Sequence, residues 1–366
     1  MVWVLVAALL LAFANGANDN FKSVATLVGS DTWERRQALL WATGTTLLGS
    51  VAAIFIAGAL LERFGGKGLV SPAVAADPAF IGSVAFAAAA TVLLATRLGM
   101  PTSTTHGLLG ALIGAGALAA GPLHLDVLGQ KFLGPLLVSP VLALGGTAVL
   151  YPVLRALRTR WGVERDDSFC VGGRAIEVVT DLSPAQWVGY RRQLAVSSGK
   201  TVTCESTYTG RVLGLRAGPT LDGLHAVSAG AMGFARGLND TPKIAALLLL
   251  MPGLGGGMAL LAIGGAIAVG GLVASRRVGH TMSREITPMN AGQGFTSNLV
   301  TTVLVLVASP LGMPVSTTHV SSGALFGLGL VRGDANWRTI GQILATWILT
   351  LPIAALLAAA AYVTLG

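Results

Sequence analysis

Charged side chains are scarce in this chain. Asp, Glu, Lys and Arg make up 11% of its 366 residues, well below the roughly 25% usual in soluble domains. That shortage excludes the ordinary soluble enzyme folds. Cysteine is nearly absent: Cys170 and Cys204 both lie in one long polar loop, and their spacing suggests no metal site. The net charge of +8 and pI near 10.1 would fit a nucleic-acid partner, but no basic domain gathers the Lys and Arg, so none is expected. A positive n-region is also missing. Met1–Gly16 has the apolar core of a secretory signal and an AFANGA stretch near a cleavage point. Cleavage there would delete half of a repeated motif, so the segment is read as a retained first helix.

What the chain does have is apolar length. It is 53% hydrophobic with 49 glycines, and several runs reach the ~20 residues that span a bilayer. The fold class is therefore an all-α, polytopic membrane protein in contact with membrane lipid. Five segments occupy the first half, at about Val2–Val28, Gln37–Leu61, Ala79–Leu98, Ser103–Ala120 and Val127–Leu157. Five more follow, at about Asp222–Leu250, Leu254–Ser275, Met289–Ser309, Ser316–Val331 and Asn336–Leu365. The expected division is 1–157 as a first membrane repeat, 158–221 as a cytoplasmic central loop or small insert, and 222–366 as a second membrane repeat. Within the insert, Ala175–Thr180 and Lys200–Tyr208 have the Val, Ile and Thr content of short strands.

Two motifs occur twice. Phe13–Leu27, FANGANDNFKSVATL, matches Phe234–Leu248, FARGLNDTPKIAALL, at eight of fifteen positions. A centrally placed Asp or Lys in a membrane helix costs roughly 2.5–3.5 kcal/mol, so such a cluster belongs where it lines a polar cavity. Gly99–Gly116, GMPTSTTHGLLGALIGAG, matches Gly312–Gly329, GMPVSTTHVSSGALFGLG, at twelve of eighteen. Pro101 disfavours helix just before it, and the Ser-Thr-Thr run suits the start of a new one. A helix that starts inside the membrane presents free N–H groups and a positive dipole end to an anion. Ser103, Thr104, Thr105, Ser316, Thr317 and Thr318 add hydroxyls, which suit a tetrahedral oxyanion or a small cation equally. His106 and His319 are read as hydrogen-bonded structural residues, and the Gly107–Gly116 and Gly253–Gly257 runs as close-packing surfaces.

An odd number of segments between equivalent motifs predicts two inverted-topology repeats of about five segments each, with discontinuous helices or hairpins at the binding site. Arg35, Arg36, Arg276, Arg277, Arg284, Arg332 and Arg338 fall on the same side as the basic central loop. The positive-inside rule then places both termini outside. Asp19 and Asp240 beside an anion make sense if cations sit between them, or if the anion has a proton to donate. Hydrogen phosphate has that proton and sulfate at neutral pH does not.

At GAND (Gly16–Asp19), GLND (Gly237–Asp240), PTSTTH (Pro101–His106), PVSTTH (Pro314–His319) and ITPMNAGQGFTSN (Ile286–Asn298) the chain resembles the inorganic phosphate transporter (PiT) family. The resemblance covers nearly everything except the central loop. It implies a non-enzymatic secondary transporter, a symporter that imports inorganic phosphate across the plasma or inner membrane by alternating access. No cofactor is implied beyond Na+ or H+ as coupling ion, and a homodimer is compatible with it. Asn18, Asp19, Asn239 and Asp240, with the Ser-Thr-Thr triplets, would bind phosphate. The Na+ ligands would come from Asp19, Asn18, Asp240 and Asn239, with Gln293 and Asn298 as further ligands. The chain departs from the family where small residues usually follow GAND: here Lys22 and Lys243 each stand three residues after Asp. They are expected to pair with Asp19 and Asp240 or to reach the anion, in place of a charge that Na+ supplies; snorkelling to the interface is the alternative. Other readings are a sulfate or other oxyanion permease, and an intramembrane enzyme with Ser103 or Ser316 as nucleophile and His106 or His319 as base.

Overall fold

The computed structural model describes residues 2–64, 70–119, 124–167, 170–171, 174–175, 206–249 and 256–365. Ten long helices carry these residues, five on each side of the central segment. In the first half they are α1 (Val2–Asp19), α2 (Arg35–Ile56), α3 (Pro78–Arg97), α4 (Thr104–Leu118) and α5 (Gly134–Arg160). The second half supplies α6 (Ala217–Leu249), α7 (Gly256–Ala274), α8 (Ala291–Ala308), α9 (Thr317–Arg332) and α10 (Trp337–Leu365). Seven of the described helical segments are long and apolar enough to cross a membrane. Large apolar side chains such as Leu48 on α2, Val141 on α5 and Ile348 on α10 are exposed, whereas Asn, Asp, Lys, Ser and Thr side chains line the interior. A hydrocarbon surround favours this arrangement, because polar groups in it must find partners within the protein.

Glycine fixes how the halves meet. A Cβ on Gly16 of α1 would lie 1.9 Å from the main-chain oxygen of Ile267 on α7, and one on Gly237 of α6 would lie 2.1 Å from that of Thr46 on α2. Gly270 against Phe13 O and Gly49 against Phe234 O repeat the exchange, at 2.0 Å each. Gly110 and Gly114 on α4 face the carbonyls of Leu351 and Ala355 on α10, and Gly323 and Gly327 on α9 face those of Pro140 and Leu144 on α5. Each motif helix therefore packs against a helix of the other half, in reciprocal pairs, as two structurally equivalent repeats would. Such backbone approach is what small residues permit in membrane helices. The Gly107–Gly116 run has this packing role; Gly253–Gly257 falls largely outside the described residues.

Both STTH helices begin inside the protein. Gly99 (φ +75°) and Gly312 (φ +65°) take the left-handed turn that glycine adopts without strain. The chain then runs extended to Ser103 and Ser316, whose hydroxyls accept from the main-chain N–H of His106 (3.1 Å) and His319 (3.2 Å). These are the expected N-caps. The GAND helix also breaks: after Asp19 one turn of 3-10 helix, Asn20–Ser23, intervenes before a short helix, Ala25–Gly29. Ser23 Oγ donates to Asn20 O (3.1 Å), the kind of local side-chain bond that competes with a helix. The second copy differs, since α6 runs unbroken through Pro242. Pro242 removes one N–H from the ladder, and the helix continues past it to Leu249.

The contacts divide the chain into two units, Met1–Tyr151 with His225–Gly366, and Pro152–Leu224. In the smaller unit, short antiparallel strands pair Glu164–Asp167 with Ser206–Thr209, Cys170–Val171 with Arg174–Ala175, and Arg211–Val212 with Leu215–Arg216. Most of the expected strands Ala175–Thr180 and Lys200–Tyr208 lies outside the described residues, as does Cys204.

Candidate functional site

The helix breaks leave main-chain carbonyls inside the protein without a helical partner, and polar side chains of the ND motifs gather there. Asn18 secures the break before α4. Its Nδ2 donates to Thr96 Oγ1 (2.9 Å) and Met100 O (3.1 Å), and its Oδ1 accepts from the N–H of Thr102 (3.0 Å). Asn239 does the same before α9, donating to Val315 O (3.2 Å) and accepting from Ser309 Oγ (3.3 Å).

Each lysine reaches the break of its own half and a hydroxyl of the other. Lys22 Nζ pairs with Asp19 Oδ1 and donates to Asn18 Oδ1 (2.7 Å), Thr102 O (3.1 Å) and Thr318 Oγ1 (2.6 Å). Lys243 Nζ pairs with Asp240 Oδ1 (3.3 Å) and donates to Val315 O (2.7 Å) and Thr105 Oγ1 (3.0 Å). Both lysines are only 2% exposed, so they pair rather than snorkel. Chemically, each ammonium is held by a carboxylate, a hydroxyl and an unwound main-chain carbonyl. That all-oxygen set is also what a small hard cation takes at a broken membrane helix.

The remaining carboxylate oxygens join the two copies. Asn15 Nδ2 donates to Asp19 Oδ2 (2.9 Å), Thr104 Oγ1 (2.9 Å) and, more weakly, Asp240 Oδ2 (3.4 Å). Thr104 and Thr317 donate to Asp19 Oδ2 (3.4 Å) and Asp240 Oδ2 (3.2 Å), and the single hydroxyl proton of Thr318 has Thr102 O (2.7 Å) and Asp19 Oδ1 (3.1 Å) as acceptors within reach. The structure thus brings together Asn18, Asp19, Lys22, Thr104, Thr105, Asn239, Asp240, Lys243, Thr317 and Thr318. Ser103 and Ser316 lie at the edge as caps.

Gln293 and Asn298 are placed elsewhere. Gln293 closes a capping box with Asn290 and bonds Tyr151 Oη (3.0 Å) and Arg332 (2.7 Å), while Asn298 donates to Thr26 Oγ1 (2.9 Å). Their hydrogen bonds do not reach the Asp–Lys cluster. His106 and His319 meet edge to face, with ring centroids 4.4 Å apart, and His319 lies 3.9 Å from the Trp347 ring.

Two residues of the cluster carry no role in the sequence reading. Asn15 bridges the carboxylates. Arg236, at the equivalent position in the second copy, is 1% exposed; its Nη2 donates to Asn20 Oδ1 (3.1 Å) and Thr46 Oγ1 (3.4 Å). The insertion cost that flags Asp19 would have flagged an arginine in an apolar helix as well.

Helices that break inside an apolar shell, around a buried set of charges drawn from both halves of the chain, define a membrane carrier. The family model described as "Phosphate transporter family" matches residues 15–358, and the chain belongs to that family. It is an integral, multi-pass membrane protein. A putative phosphate permease of Thermococcus kodakarensis is 30% identical over 98% of this chain and 96% of its own length. The probable low-affinity inorganic phosphate transporter of Rhizobium meliloti is 28% identical over 99% and 95%. Among solved structures, one titled "The sodium-dependent phosphate transporter" superposes with a TM-score of 0.74 over 100% of this chain and 99% of that one, at 24% identity. At that identity the likeness speaks for the fold alone.

Proposed function

We propose that the chain is a secondary transporter that carries inorganic phosphate into the cell by alternating access, with protons rather than sodium as the coupled ion. Family membership and the names of its relatives support phosphate as substrate. The observation that carries the choice of ion is the placing of the Lys22 and Lys243 ammonium groups on Asp19 and Asp240. The oxygens expected to hold Na+, those of Asp19, Asn18, Asp240 and Asn239, already receive bonds from ammonium, amide or hydroxyl groups. A sodium ion at either aspartate would have to displace the lysine already paired with it.

A carrier without a catalytic step also suits the serines. The Oγ of Ser103 and Ser316 accepts from the main-chain N–H of His106 and His319, an arrangement that supports a helix cap. The positive-inside bias supports placing both termini outside the cell membrane and the 158–221 segment in the cytoplasm.

The test is uptake of radiolabelled phosphate into proteoliposomes under a sodium gradient and a proton gradient imposed separately, with excess unlabelled sulfate as competitor. Accumulation driven by protons alone is the expected result. Accumulation driven by sodium would overturn the choice of ion, and competition by sulfate, or no phosphate uptake, would move the substrate to another oxyanion.

A further inference from the structure

The buried charges do not balance. Among the described residues the buried Asp, Glu, Lys and Arg side chains are Asp19, Asp240, Lys22, Lys243 and Arg236, three cations against two carboxylates. Each carboxylate already has a cation, in the Asp19–Lys22 and Asp240–Lys243 pairs. Arg236 is the surplus. Its Nη2 rests on the neutral oxygens of Asn20 and Thr46, and among the described residues no acceptor meets its Nε–H or its Nη1 amino group. A guanidinium cannot shed its charge, and the planar set of N–H donors that suits tetrahedral oxyanions is here only partly met by protein acceptors. Leaving a buried cation uncompensated is expensive, and in membrane proteins such residues mark binding sites.

Arg236 also belongs to the cluster by position. It stands one residue before the GLND motif, on the same helix as Asp240 and Lys243. Its equivalent in the first copy, Asn15, donates to both carboxylates. Its anchor Asn20 directly follows Asp19 in the chain and is held from the other side by Thr43 (Asn20 Nδ2 to Thr43 Oγ1, 2.8 Å). The arginine is thus fixed by a short polar frame while its remaining donors stay free.

We propose that Arg236 anchors the transported anion: its Nε–H and Nη1 amino group bind oxygens of a tetrahedral oxyanion, whose negative charge neutralises the surplus of the buried cluster. This rests on the reading of the chain as a phosphate carrier and assigns one residue to substrate recognition. Because the two lysines are committed to carboxylates, the charge attraction for the anion falls to Arg236, and the second half of the protein supplies it.

Equilibrium binding of radiolabelled phosphate to the purified full chain in detergent, with thermal unfolding measured with and without phosphate, tests the assignment on R236Q and R236K. R236Q is expected to weaken phosphate binding about 10- to 100-fold, the worth of a charge-assisted hydrogen-bond set, and R236K to weaken it less. The phosphate-induced rise in Tm should vanish in R236Q while its Tm without phosphate is not lowered. A merely structural arginine would show the reverse pattern. Wild-type affinity in R236Q overturns the proposal; should R236Q fail to fold, wild-type affinity in R236K does so, since lysine cannot place donors where Nε and Nη1 stand. If the wild type binds sulfate and not phosphate, the substrate reading falls, and the same variants measured against sulfate decide Arg236 separately. A wild type that binds neither anion overturns both.

Discussion

Lys22 of the first half donates to Thr318 of the second at 2.6 Å, and Lys243 of the second half donates to Thr105 of the first at 3.0 Å. The two bonds are reciprocal, so each half completes the ammonium site of the other. If these ammonium groups hold the places of coupling cations, removing one creates a cation site. Lys22→Ala is expected to make phosphate uptake depend on external sodium, or to lower phosphate affinity if sodium cannot enter. Uptake in proteoliposomes as a function of sodium concentration reads both results. Unchanged transport with unchanged ion dependence would sink the resident-cation reading.

The hydroxyls of the STTH runs divide into two kinds, and the division is testable. Ser103 Oγ serves as an acceptor for its own helix, so Ser103→Ala should cost about 1 kcal/mol of stability through loss of the cap and leave phosphate uptake largely intact. Thr318 Oγ1 is different. It accepts from Lys22 and lies within bonding distance of Asp19 and Thr102 O. Thr318→Val keeps the shape and leaves the ammonium one ligand short, a loss of roughly 1.5–3 kcal/mol for a bond to a charged group. Uptake should fall strongly in Thr318→Val and little in Ser103→Ala. Equal effects would mean that the triplets act as a unit and not through the individual bonds.

Much of this site is legible in the sequence because charge is so costly in an apolar segment. Asp19, Lys22, Asp240 and Lys243 announce themselves, and proline followed by Ser-Thr-Thr announces a helix start. What stays hidden is tertiary. No local pattern says that Lys22 reaches across to Thr318, since that contact depends on how the halves exchange helices. The matching helix starts at the two STTH runs are readable from proline and serine, but nothing local tells that one ND helix breaks and the other does not. Proline would suggest a break at Pro242, whereas the break follows Asp19, where Asn20 and Ser23 offer the backbone other hydrogen bonds. Gln293 and Asn298 look like ligands by residue type, but the capping box at Asn290 and the hydroxyl of Thr26 claim their side chains. Arg236 was readable by the same cost argument as Asp240 and stands out only once the partners of every buried charge are known.

A surface pair permits a third prediction. Arg284 bonds both carboxylate oxygens of Asp31, and this partner raises its pKa above the ordinary arginine value. A raised folded-state pKa gives stability that is fully present below the unfolded value and is lost only as pH rises through the folded one. The arginine therefore contributes no pH dependence between about pH 5 and 8. Both side chains are more than a third exposed, so Asp31→Asn should cost no more than about 1 kcal/mol, and less in high salt. Asn also tolerates the positive φ of 56° at this position. Thermal unfolding in detergent at low and high salt checks this, and a large loss that persists in high salt would show that the pair holds more than the surface.

Gly16 and Gly237 offer the sharpest test of the reciprocal architecture. Each lies where a Cβ would meet a main-chain oxygen of the other half at about 2 Å, and backbone cannot swing aside as the end of a side chain can. Gly16→Ala and Gly237→Ala should therefore each force α1 from α7, or α6 from α2, at a cost in the upper part of the range for overpacking, about 1–3 kcal/mol or more. Gly44 on α2 provides the control, because nothing lies within 4 Å of its added Cβ. There alanine should be neutral, or stabilising by up to about 1 kcal/mol through helix propensity. If the halves are equivalent, the losses at Gly16 and Gly237 should be alike, and both variants should lower phosphate uptake, since each glycine lies within three residues of its aspartate. Thermal unfolding of the three variants beside wild type measures this. A Gly16→Ala protein as stable as Gly44→Ala would show that α1 and α7 are not in the close contact on which the exchange of helices depends.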